Sequence, residues 1–580
     1  MAVRRPEALA SEILAARGIT SPEAVQEFLS EKPARTHDPF LLPDMEAGVS
    51  RILAALKDGQ NICIYGDYDV DGILAAVLLV TFLRGLPGAV PAHVHWYVPS
   101  RFDEGYGLNR EALQAIREGG AQLVVSVDCG SVSREEVSFA QSIGLDMVVT
   151  DHHECAEGLM PECPFIDPKR ADSRYPYTGI CGCGVAFKLV QALVRRACAG
   201  GEVDAVRGRT LQNSLLDLVA IATVADVVPL TDENRTFVKY GLAQINDGKR
   251  PALRKLCEAI GAKPGTLRSY NIAFGIAPHL NAAGRMGDAG TAIELFLTDD
   301  EARMDEIIAE LVSRNVERRR VQDEAFAACA TLAEGRFAGD SFLLVRPPEV
   351  HEGVAGIVAG KLKDAYGLPA AVLSETRTED GKTALKGSAR SVEGFDLISA
   401  LRRHAALFWK LGGHAMAAGF TLPEAGEDAL RAALNDEVRT AAEVDPGILQ
   451  SGLRPDMRVL PEEATLDTAL MLERFEPCGT ENRTPILALD GVLVREVRRM
   501  GADGKHLRFS ATLAKASDPL DSRDQSGVSC VMFAKGNKAA DLPQGSHPIT
   551  LIGTLEVNRW HGRESAQFIV REARTQVNDQ

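Results

Sequence analysis

The sequence lacks an uninterrupted apolar run of the roughly 20 residues that a membrane-spanning helix requires. The longest such run, 73–83, is much shorter and predicts a buried helix. The amino terminus contains two early arginines, but acidic residues follow without the apolar stretch of a secretory signal. We therefore expect the protein to stay in the cytoplasm.

Cysteine spacing typical of a disulfide framework is also missing. The 11 cysteines are odd in number and include no C-x-x-C pair. Free cysteine behaves as a small hydrophobic residue, so most of these residues are expected to be buried thiols. Cys181 and Cys183 flank one glycine, and Cys155 and Cys163 follow two histidines, which leaves a zinc site as the alternative.

The chain has no surplus of positive charge. It contains 64 Lys and Arg against 80 Asp and Glu, for a formal net charge of -16. That balance argues against attraction of nucleic acid to the whole surface, although a basic channel can still exist locally. With 45% hydrophobic and 25% charged residues the composition is that of an ordinary folded protein, and 580 residues predict several domains.

What the sequence does contain is an alternation of short apolar strands and helices, which predicts βαβ units and a parallel sheet, an α/β fold. A long, polar helical pattern then predicts a helix that connects two domains, and the pattern of a second α/β unit follows. Short strands beyond about residue 445 suit an OB-like barrel. The predicted divisions are a helical appendage at 1–45, a parallel-sheet catalytic domain at 46–300, a connecting helix at 301–335, a substrate-binding α/β domain at 336–440 and a nucleic-acid-binding barrel at 445–580.

Acidic side chains and histidines collect where the predicted parallel strands end. Ligands of such sheets bind beyond the carboxyl ends of the strands, so these side chains are expected to share one cleft. Most of them follow three successive strands, and the last lies on a later apolar helix. The residues are Asp67, Asp69, Asp71, Asp128, Asp151, His152, His153 and Asp226.

Several carboxylates cannot all stay ionised in one cleft without a cation. Oxygen ligands with one or two imidazoles favour Mn²⁺ or Mg²⁺ over Zn²⁺, and six or more ligands are enough for two ions, the arrangement that serves phosphoester hydrolysis. Taken singly, the motifs have plainer interpretations. These are a solvated turn for "DYDVDG", a helix N-cap for Asp128, a surface loop for "DHH" and a backbone cap for Asp226.

In order and context, "DYDVDG", "VSVDCG", "VTDHHE" and "VADVVPL" resemble the four motifs of the DHH phosphoesterase superfamily, which is named for the triplet at 151–153. The glycine-rich "GGHAMAAGF" at 412–420 is similar to the signature of the DHH-associated domain. The resemblance therefore implies a DHH domain, a DHH-associated domain and a divalent metal site.

The resemblance also implies a role for each aspartate. Asp69 and Asp71 match the metal ligands of a D-x-D motif, and Asp67 stands where some relatives use an upstream histidine. Which of these three are direct ligands stays open. Asp128 matches the carboxylate that bridges both metals, and Asp226 matches the residue that completes the second metal site.

The histidines receive different roles from the same comparison of motifs. His152 matches a metal ligand, whereas His153 matches the histidine that touches the scissile phosphate. Asp151 is assigned to the catalytic set as the residue that orients an imidazole.

Within that superfamily, "SRFDEGYGLN", "APHLNAAGRMG", "KGSARS" and the terminal barrel resemble the single-strand-specific exonucleases of bacteria. This implies 5′-to-3′ hydrolysis of single-stranded DNA to mononucleotides with Mn²⁺ or Mg²⁺, in DNA repair and recombination, by a monomer. A single-strand-binding protein and a helicase are candidate partners. The alternatives are a phosphodiesterase of oligoribonucleotides or cyclic dinucleotides, a small-substrate phosphatase and a non-catalytic replication scaffold.

The stretches that carry the resemblance also contain the predicted substrate-binding residues. Arginine suits forked phosphate contacts, tyrosine can stack on a base, and "GSAR" is expected to form one turn that holds a 5′-terminal phosphate. Ion pairs with carboxylates, such as Arg390 with Glu393, are the alternative for the arginines. The set comprises Arg101, Tyr106, Asn281, Arg285, Ser388, Arg390 and His414.

The barrel region carries cations and aromatic residues that together predict a groove for single strands. Solvated strand edges protected by Lys and Arg are the alternative. The residues are Arg495, Arg498, Arg499, Lys505, His506, Arg508, Lys535, Lys538, Phe509, Phe533 and Trp560.

Overall fold

The computed structural model describes residues 3–575 apart from a few gaps. The residues outside the described part are 1–2, 88, 102–103, 202, 378–380, 450–452, 502, 514–526, 537–541, 544–546 and 576–580. The chain divides into two compact units, one formed by 1–277 with 453–580 and the other by 278–452.

The first unit begins with two helices and continues into a parallel sheet. The five strands run in the order β2-β1-β3-β4-β5 and are all parallel, as the alternation of strands and helices predicts. Every residue of β1 is buried, because helices cover both faces of the sheet. The elements in chain order are α1 (Pro6–Ala16), α2 (Pro22–Phe28), α3 (Met45–Lys57), β1 (Ile62–Tyr65), α4 (Val70–Gly85), β2 (Val94–Tyr97), α5 (Arg110–Glu118), β3 (Leu123–Val127), α6 (Arg134–Ser142), β4 (Asp146–Thr150) and β5 (Phe165–Ile166).

Helix α4 is apolar on all sides and is almost wholly buried, which confirms the buried helix predicted at 73–83. The helical part of the same unit packs against it through α7 and α9. Its elements are α7 (Gly182–Ala199), α8 (Ala205–Asn213), α9 (Leu216–Ala225), α10 (Asp232–Asn246), α11 (Pro251–Ala259) and the short α12 (Ser269–Asn271), which continues into a π-helical turn (Ile272–Ile276).

The second unit contains the long predicted helix and a mixed sheet. Helix α15 covers 301–334, so the helix predicted at 301–335 is confirmed, and its buried face packs against α16. The sheet runs β6-β7-β8-β10-β9, with β6 parallel to β7 and the other pairs antiparallel. The elements are α13 (Ala277–Met286), α14 (Gly290–Leu297), α15 (Glu301–Glu334), β6 (Leu343–Val345), α16 (Glu352–Tyr366), β7 (Ala370–Arg377), β8 (Thr383–Arg390), α17 (Leu397–Arg403), β9 (Lys410–His414), β10 (Ala417–Pro423) and α18 (Glu427–Val444).

The predicted barrel is confirmed. The final sheet runs β11-β12-β13-β14-β16-β15, and an additional pairing of β12 with β15 closes five of its strands on themselves. Its elements are β11 (Met457–Val459), α19 (Leu466–Glu473), β12 (Leu487–Met500), β13 (His506–Leu513), β14 (Val528–Met532), β15 (Ile549–Trp560) and β16 (Arg563–Thr575).

Helix α1 belongs to the core of this barrel rather than to a separate appendage. Leu9, Ile13 and Leu14 are 1% exposed or less and lie in one hydrophobic cluster with β12–β16 residues such as Leu489 and Phe568. The guanidinium of Arg4 pairs with Glu463, whose carboxylate is buried just before α19. Helix α1 and the barrel strands therefore share one hydrophobic core.

Among the described residues, no helix combines the length and the apolar character needed to cross a bilayer.

Candidate metal centre

The segment after β1 places three aspartates at the start of α4. Asp69 is the N-cap, and its Oδ1 accepts hydrogen bonds from the backbone N–H of Asp71 at 2.9 Å and of Gly72 at 3.2 Å. Asp67 and Asp71 are 3% and 1% exposed. The solvated turn, one alternative interpretation of "DYDVDG", is therefore wrong.

Asp71 is held from a distant part of the sequence. Its two carboxylate oxygens accept hydrogen bonds from the backbone N–H of Gly182 at 2.6 Å and of Cys183 at 2.8 Å. These donors lie at the first turn of α7, where backbone N–H groups have no partner within the helix. The N-terminus of α7 therefore orients Asp71 and offsets part of its charge.

Asp128 directly follows β3 and has a φ of 63°, a left-handed conformation that is uncommon for a residue other than glycine. The N-cap of the next helix is Ser133, so the N-cap interpretation of Asp128 is wrong. A Cβ atom on Gly182 would lie 2.4 Å from Oδ1 of Asp128. Only glycine at 182 lets α7 donate to Asp71 while Asp128 occupies the adjoining space.

The three residues of the triplet after β4, Asp151, His152 and His153, have different environments. Asp151 is 1% exposed and accepts hydrogen bonds from the backbone N–H and the Oγ of Ser131 at 2.9 and 2.5 Å. The same carboxylate contacts Nδ1 of His153 at 2.8 Å, while the His153 side chain is about half exposed. His152 is buried, so the surface-loop interpretation of "DHH" is wrong.

Nε2 of His152 lies at the centre of the acidic residues. It is 3.1 Å from Oδ1 of Asp128 and 3.7 Å from carboxylate oxygens of both Asp71 and Asp226. Asp226 is the C-cap of the apolar helix α9. Residues from four separate segments of the chain therefore meet in one pocket.

The structure brings all eight predicted metal and catalytic residues together in three overlapping groups. Within each group, one ligand atom per residue lies within 4.8 Å of the others. The groups are Asp128, Asp151, His152 and His153; Asp71, His152 and Asp226; and Asp67, Asp69 and Asp128.

The electrostatics of this pocket are those of a cation site. Burial, reinforced by neighbouring carboxylates, raises the pKa of Asp67, Asp71, Asp128 and Asp226. Burial also lowers the pKa of His152 to about 4, which keeps its imidazole neutral, as a metal ligand must be. Negative charge is therefore costly here unless a cation compensates it.

Unsatisfied polar atoms support the same conclusion. Oδ1 of Asp67, Oδ1 of Asp128 and Nε2 of His152 are buried, and none of them makes a well-aligned hydrogen bond within the described residues, although the last two atoms lie 3.1 Å apart. Buried polar atoms are normally paired, so three such atoms in one pocket fit ligands that point at an ion. A donor set of carboxylates with one imidazole suits Mn²⁺ or Mg²⁺.

Asp151 behaves differently from the other aspartates. Burial by itself would raise its pKa, but the hydrogen bond with His153, the charges of both histidines and Ser131 lower the pKa below the ordinary value. For His153, burial opposes protonation, yet the contact with Asp151 raises the pKa. This pair is arranged to hold a proton on the imidazole of His153.

Two of the predicted substrate-binding residues lie beside the metal centre. The hydroxyl of Tyr106 is 3.1 Å from Nδ1 of His153 and donates to the carbonyl of Asp128 at 3.3 Å. The Tyr106 side chain is half exposed, so its ring is not part of the hydrophobic core. The guanidinium of Arg101 lies over the ring of Tyr68, 5.1 Å from its centroid.

The other five predicted substrate-binding residues belong to the second unit. Asn281 and Arg285 are one turn apart on α13, and Nη1 of Arg285 donates to the carbonyl of Gly353 at 2.8 Å. In the mixed sheet, Arg390 and His414 both lie opposite Ala417 of the strand between them. Directly opposed residues share a face of a sheet, so Arg390 and His414 lie on one face together with Ser388.

One local prediction in this unit is wrong. "GSAR" is not a turn, because Ser388 and Arg390 lie within β8, and the glycine-rich "GGH" likewise lies within a strand, β9. Face sharing across strands, rather than a turn, brings these residues near one another. The predicted alternative for Arg390 also fails: within the described residues, its side chain donates to the carbonyl of Ala389 and has no carboxylate partner.

The barrel groove is supported only in part. Phe509 is 3% exposed and belongs to the barrel core, so its assignment to the groove is wrong. Phe533 and Trp560 are exposed, and Arg498 lies directly opposite Arg508 on neighbouring strands. Like charges in that position destabilise a sheet, and Glu496 offsets part of the charge of Arg498 across 3.7 Å. Lys538 lies outside the described residues.

Four contributors to the site were missed by the sequence reasoning. Gly182 and Cys183 were considered only with the cysteines, although a glycine at the first turn of a helix is a signal of close backbone approach. Ser131 and the buried Asp167 extend the network of Asp151, with 3.1 Å between Ser131 Oγ and Asp167. Asp167 follows β5, a strand too short for its pattern to be noticed.

The cysteines do not form a metal site. All 11 cysteines are free, and the described residues that could hold a metal ion are aspartates and histidines. Cys181 lies beside Thr223 at 3.6 Å, and Cys155 and Cys163 pack against a hydrophobic cluster. The expectation of mostly buried thiols is confirmed.

Family models match three parts of the chain. The "DHH family, N-terminal domain" matches residues 61–223, the "DHHA1 domain" matches 339–440 and the "RecJ OB domain" matches 455–572.

Curated relatives match almost the full length. The chain is 33% identical over 566 residues to the single-stranded-DNA-specific exonuclease RecJ of Bacillus subtilis, covering 97% of this chain and 68% of the relative. It is 34% identical to the RecJ of Dickeya dadantii and 32% identical to that of Escherichia coli, covering 91% of this chain and 90% of each relative.

Solved structures give the same result. The RecJ of Thermus thermophilus in complex with Mn²⁺ superposes with a TM-score of 0.75 at 28% identity, covering 99% of this chain and 79% of that chain. Its complex with Mg²⁺ gives a TM-score of 0.68 at 27% identity, covering 99% of this chain and 78% of that chain.

We predict that Gly182→Ala abolishes the metal site without unfolding the protein. The added methyl group would displace Asp128, so affinity for Mn²⁺ should fall more than about tenfold. Isothermal titration calorimetry measures this affinity. Gly85→Ala is the matched control, since its Cβ would meet one leucine methyl at an ordinary 3.7 Å. Equal affinities of the two variants would contradict the packing argument.

We also predict opposite effects of Asp128→Asn with and without metal. A carboxyl whose pKa is higher in the folded chain than in the unfolded chain destabilises the fold at neutral pH, and this cost disappears as the pH falls through the folded pKa. Without metal, the variant should therefore be more stable than the wild type at neutral pH, because burial raises the pKa of Asp128 in the folded chain.

Saturating Mn²⁺ should reverse that order. The wild-type protein should gain about 2.7 kcal/mol at a hundredfold excess over Kd, whereas the variant should gain much less. Urea unfolding with EDTA and with Mn²⁺ measures both differences. A variant that is less stable than the wild type under both conditions would show that Asp128 serves packing and not charge.

Proposed function

This chain belongs to the RecJ family, and from that premise we infer that it is a metal-dependent exonuclease that acts on single-stranded DNA. One observation carries the inference: aspartates and histidines from four segments of the chain meet in a buried pocket, where three of their polar atoms make no hydrogen bond within the described residues. The non-catalytic alternative is disfavoured because every expected acidic position is filled and clustered.

The residues that would hold the cations are Asp67, Asp69, Asp71, Asp128, His152 and Asp226. A divalent ion supplies Lewis-acid chemistry to a phosphodiester when it is bound. The chain itself fixes the geometry. Asp71 is locked by backbone N–H groups of α7, and Asp128 by its backbone conformation after β3.

His153 is suited to contact the scissile phosphate. Asp151 occupies its Nδ1, so Nε2 is the ring nitrogen that remains for the substrate, and the raised pKa favours a proton there. A protonated Nε2–H donates a charge-assisted hydrogen bond to a phosphoryl oxygen, where negative charge grows during hydrolysis. Tyr106, beside this ring, fits a base or sugar next to the same phosphate.

We assign the 5′ end of the strand to the second unit. The guanidinium of Arg390 lies near Ser388 and the first turns of α16: a Cβ on Gly356 would lie 2.8 Å from Ser388 Oγ and 3.1 Å from Arg390 Nη2. An arginine that lacks a carboxylate partner suits a dianionic 5′-phosphate. Asn281, Arg285 and His414 complete the proposed grip on the 5′ end. Hydrolysis from 5′ to 3′ with release of mononucleotides is the activity that the family resemblance implies.

The barrel is proposed to hold the strand further along. Exposed Arg498 and Arg508 oppose each other, and exposed aromatic side chains stand near the same strands. Cations interleaved with aromatic rings bind single strands with little sequence preference. The role in DNA repair and recombination, the single-strand-binding protein, the helicase and the monomeric state stay predictions from the resemblance. Because bacterial DNA lies in the cytoplasm, the proposed substrate predicts that the protein acts there.

We propose the same domain boundaries as those predicted from the sequence pattern. They are a helical segment at 1–45, a DHH domain at 46–300, a connecting helix at 301–335, a DHH-associated domain at 336–440 and the barrel at 445–580.

A degradation assay tests the activity. The wild-type protein with Mn²⁺ should shorten a 5′-phosphorylated, 3′-labelled oligodeoxynucleotide from its 5′ end and degrade a blunt duplex far more slowly. Asp226→Asn should lower the rate by more than about 100-fold, beyond the loss caused by outer-shell partners. Asp58→Asn is the matched control, since Asp58 is also the C-cap of a helix. Release of the 3′ label first, or equal turnover of a cyclic dinucleotide, would refute the assignment.

A second assay tests the 5′-phosphate grip. Arg390→Ala should weaken the preference for a 5′-phosphorylated over a 5′-hydroxyl strand about 10- to 100-fold, the value of a charge-assisted hydrogen bond. The effect should lie in KM. Arg377→Ala, which removes an exposed arginine from the neighbouring strand β7, should keep the preference. An unchanged preference in Arg390→Ala would refute this part of the proposal.

A further inference from the structure

Two exposed aromatic rings lie side by side in the first unit, outside the residues considered so far. The side chains of Tyr270 and Phe274 are 66% and 62% exposed, yet their ring centroids are only 4.6 Å apart, at an interplanar angle of 35°. The segment is anchored from the other face by Ile272 and Ile276, which are fully buried. This pair is therefore displayed on a rigid base rather than on a loose loop.

Tyr270 lies in the short helix α12, and Phe274 lies in the π-helical turn that continues it, a rare form that is frequent at functional sites. Ser269, at the start of this segment, donates its hydroxyl proton to the carbonyl of Cys478 at 2.6 Å and accepts from the N–H of the same residue at 3.1 Å. The loop that contains Cys478 therefore holds the first residue of the aromatic segment in place.

The same loop reaches the metal centre. Thr480 donates its hydroxyl proton to the carbonyl of Val227 at 2.8 Å, and Val227 directly follows Asp226. Val227 has a φ of 60° and is 68% exposed, a strained conformation for a β-branched residue. Strain of this kind collects at functional sites. The Tyr270–Phe274 pair and the Asp226 side of the pocket are therefore attached to one short loop.

The charge around the pair is opposite to that of the chain. Residues 249–268 contain six Lys and Arg and one acidic residue, in a protein with a net charge of -16. Arg254 and Lys263 of this segment are exposed. Arg268 pairs with Glu473, which also pairs with Arg559 next to the exposed Trp560 of the barrel. Carboxylates pair with Lys249, Arg250 and Arg268, so the exposed positive charge of this segment is supplied by Arg254 and Lys263.

We propose that the Tyr270–Phe274 pair is a base-stacking site for the single strand, on the part of the strand that extends away from the metal centre. The proposal rests on the exonuclease function. Exposed aromatic rings among cations match the two interactions that single strands offer to a protein, stacking of bases and contact with phosphates. The positive local charge favours a polyanion over an apolar protein surface as the occupant.

A binding experiment tests the site in the full chain with Asp128→Asn as the background, which prevents cleavage. The probe is a 5′-phosphorylated oligothymidylate of about 20 nucleotides with one 2-aminopurine. Tyr270→Ala with Phe274→Ala should weaken binding about tenfold or more and leave a trinucleotide unaffected. Tyr270→Trp with Phe274→Trp should retain affinity, and Tyr240→Ala is the control at an exposed tyrosine elsewhere in the unit.

Two further readouts locate the contact. Aminopurine fluorescence should be quenched at one or two internal positions in the proteins that keep the rings, and should recover in the double alanine variant. Arg254→Ala with Lys263→Ala should lower the salt dependence of binding by about 0.7 per cation lost.

The outcomes separate the two proposals. If the otherwise unmutated chain degrades the oligonucleotide but the double alanine variant binds it as tightly as its parent, the stacking site is refuted and the rings are left for a protein partner. If the tryptophan variant loses affinity as much as the alanine variant, the contact is not stacking. If the unmutated chain does not degrade single strands at all, the exonuclease function itself fails.

Discussion

Repulsion among carboxylates in a pocket with little water is the constraint on which the first unit depends. Asp67, Asp71 and Asp128 are nearly inaccessible to solvent, and burial raises the pKa of each. The fold counters this cost with positive charge from its own backbone: N–H groups at the start of α7 point at Asp71. Cations complete the compensation, so the architecture makes sense only as the framework of a metal enzyme.

Much of this arrangement could be predicted from sequence because strand ends are visible in the pattern. Apolar runs that break into "GDYDVDG", "VDCG" and "TDHH" mark the carboxyl ends of three strands. Because parallel strands end at the same edge of a sheet, the polar side chains that follow them lie close together. The support for the carboxylates could not be predicted in the same way. Gly182 donates to Asp71 across 111 positions of sequence, and no local signal encodes such a contact. The conformation of Asp128 likewise depends on tertiary packing.

In the second unit, composition concealed the secondary structure. Glycine, serine and alanine in "KGSAR" and "KLGGH" suggest turns, yet both segments are strands whose small residues let neighbouring elements approach. The register across three strands, which no single segment reveals, puts Arg390 and His414 on one face. Phe509 shows the reverse error. Its aromatic ring suggests a nucleic-acid contact. Successive side chains of a strand point to opposite faces, however, and the Phe509 side chain lies in the barrel core.

The burial of α1 within the barrel cluster has a consequence for synthesis on the ribosome. Leu9 and Ile13 emerge well before the strands that cover them, which begin roughly 440 residues later in the sequence. At about 5–20 residues per second, the apolar face of the nascent helix waits for roughly 20–90 s. A chaperone that shields amphipathic segments during translation would therefore improve the yield of native protein.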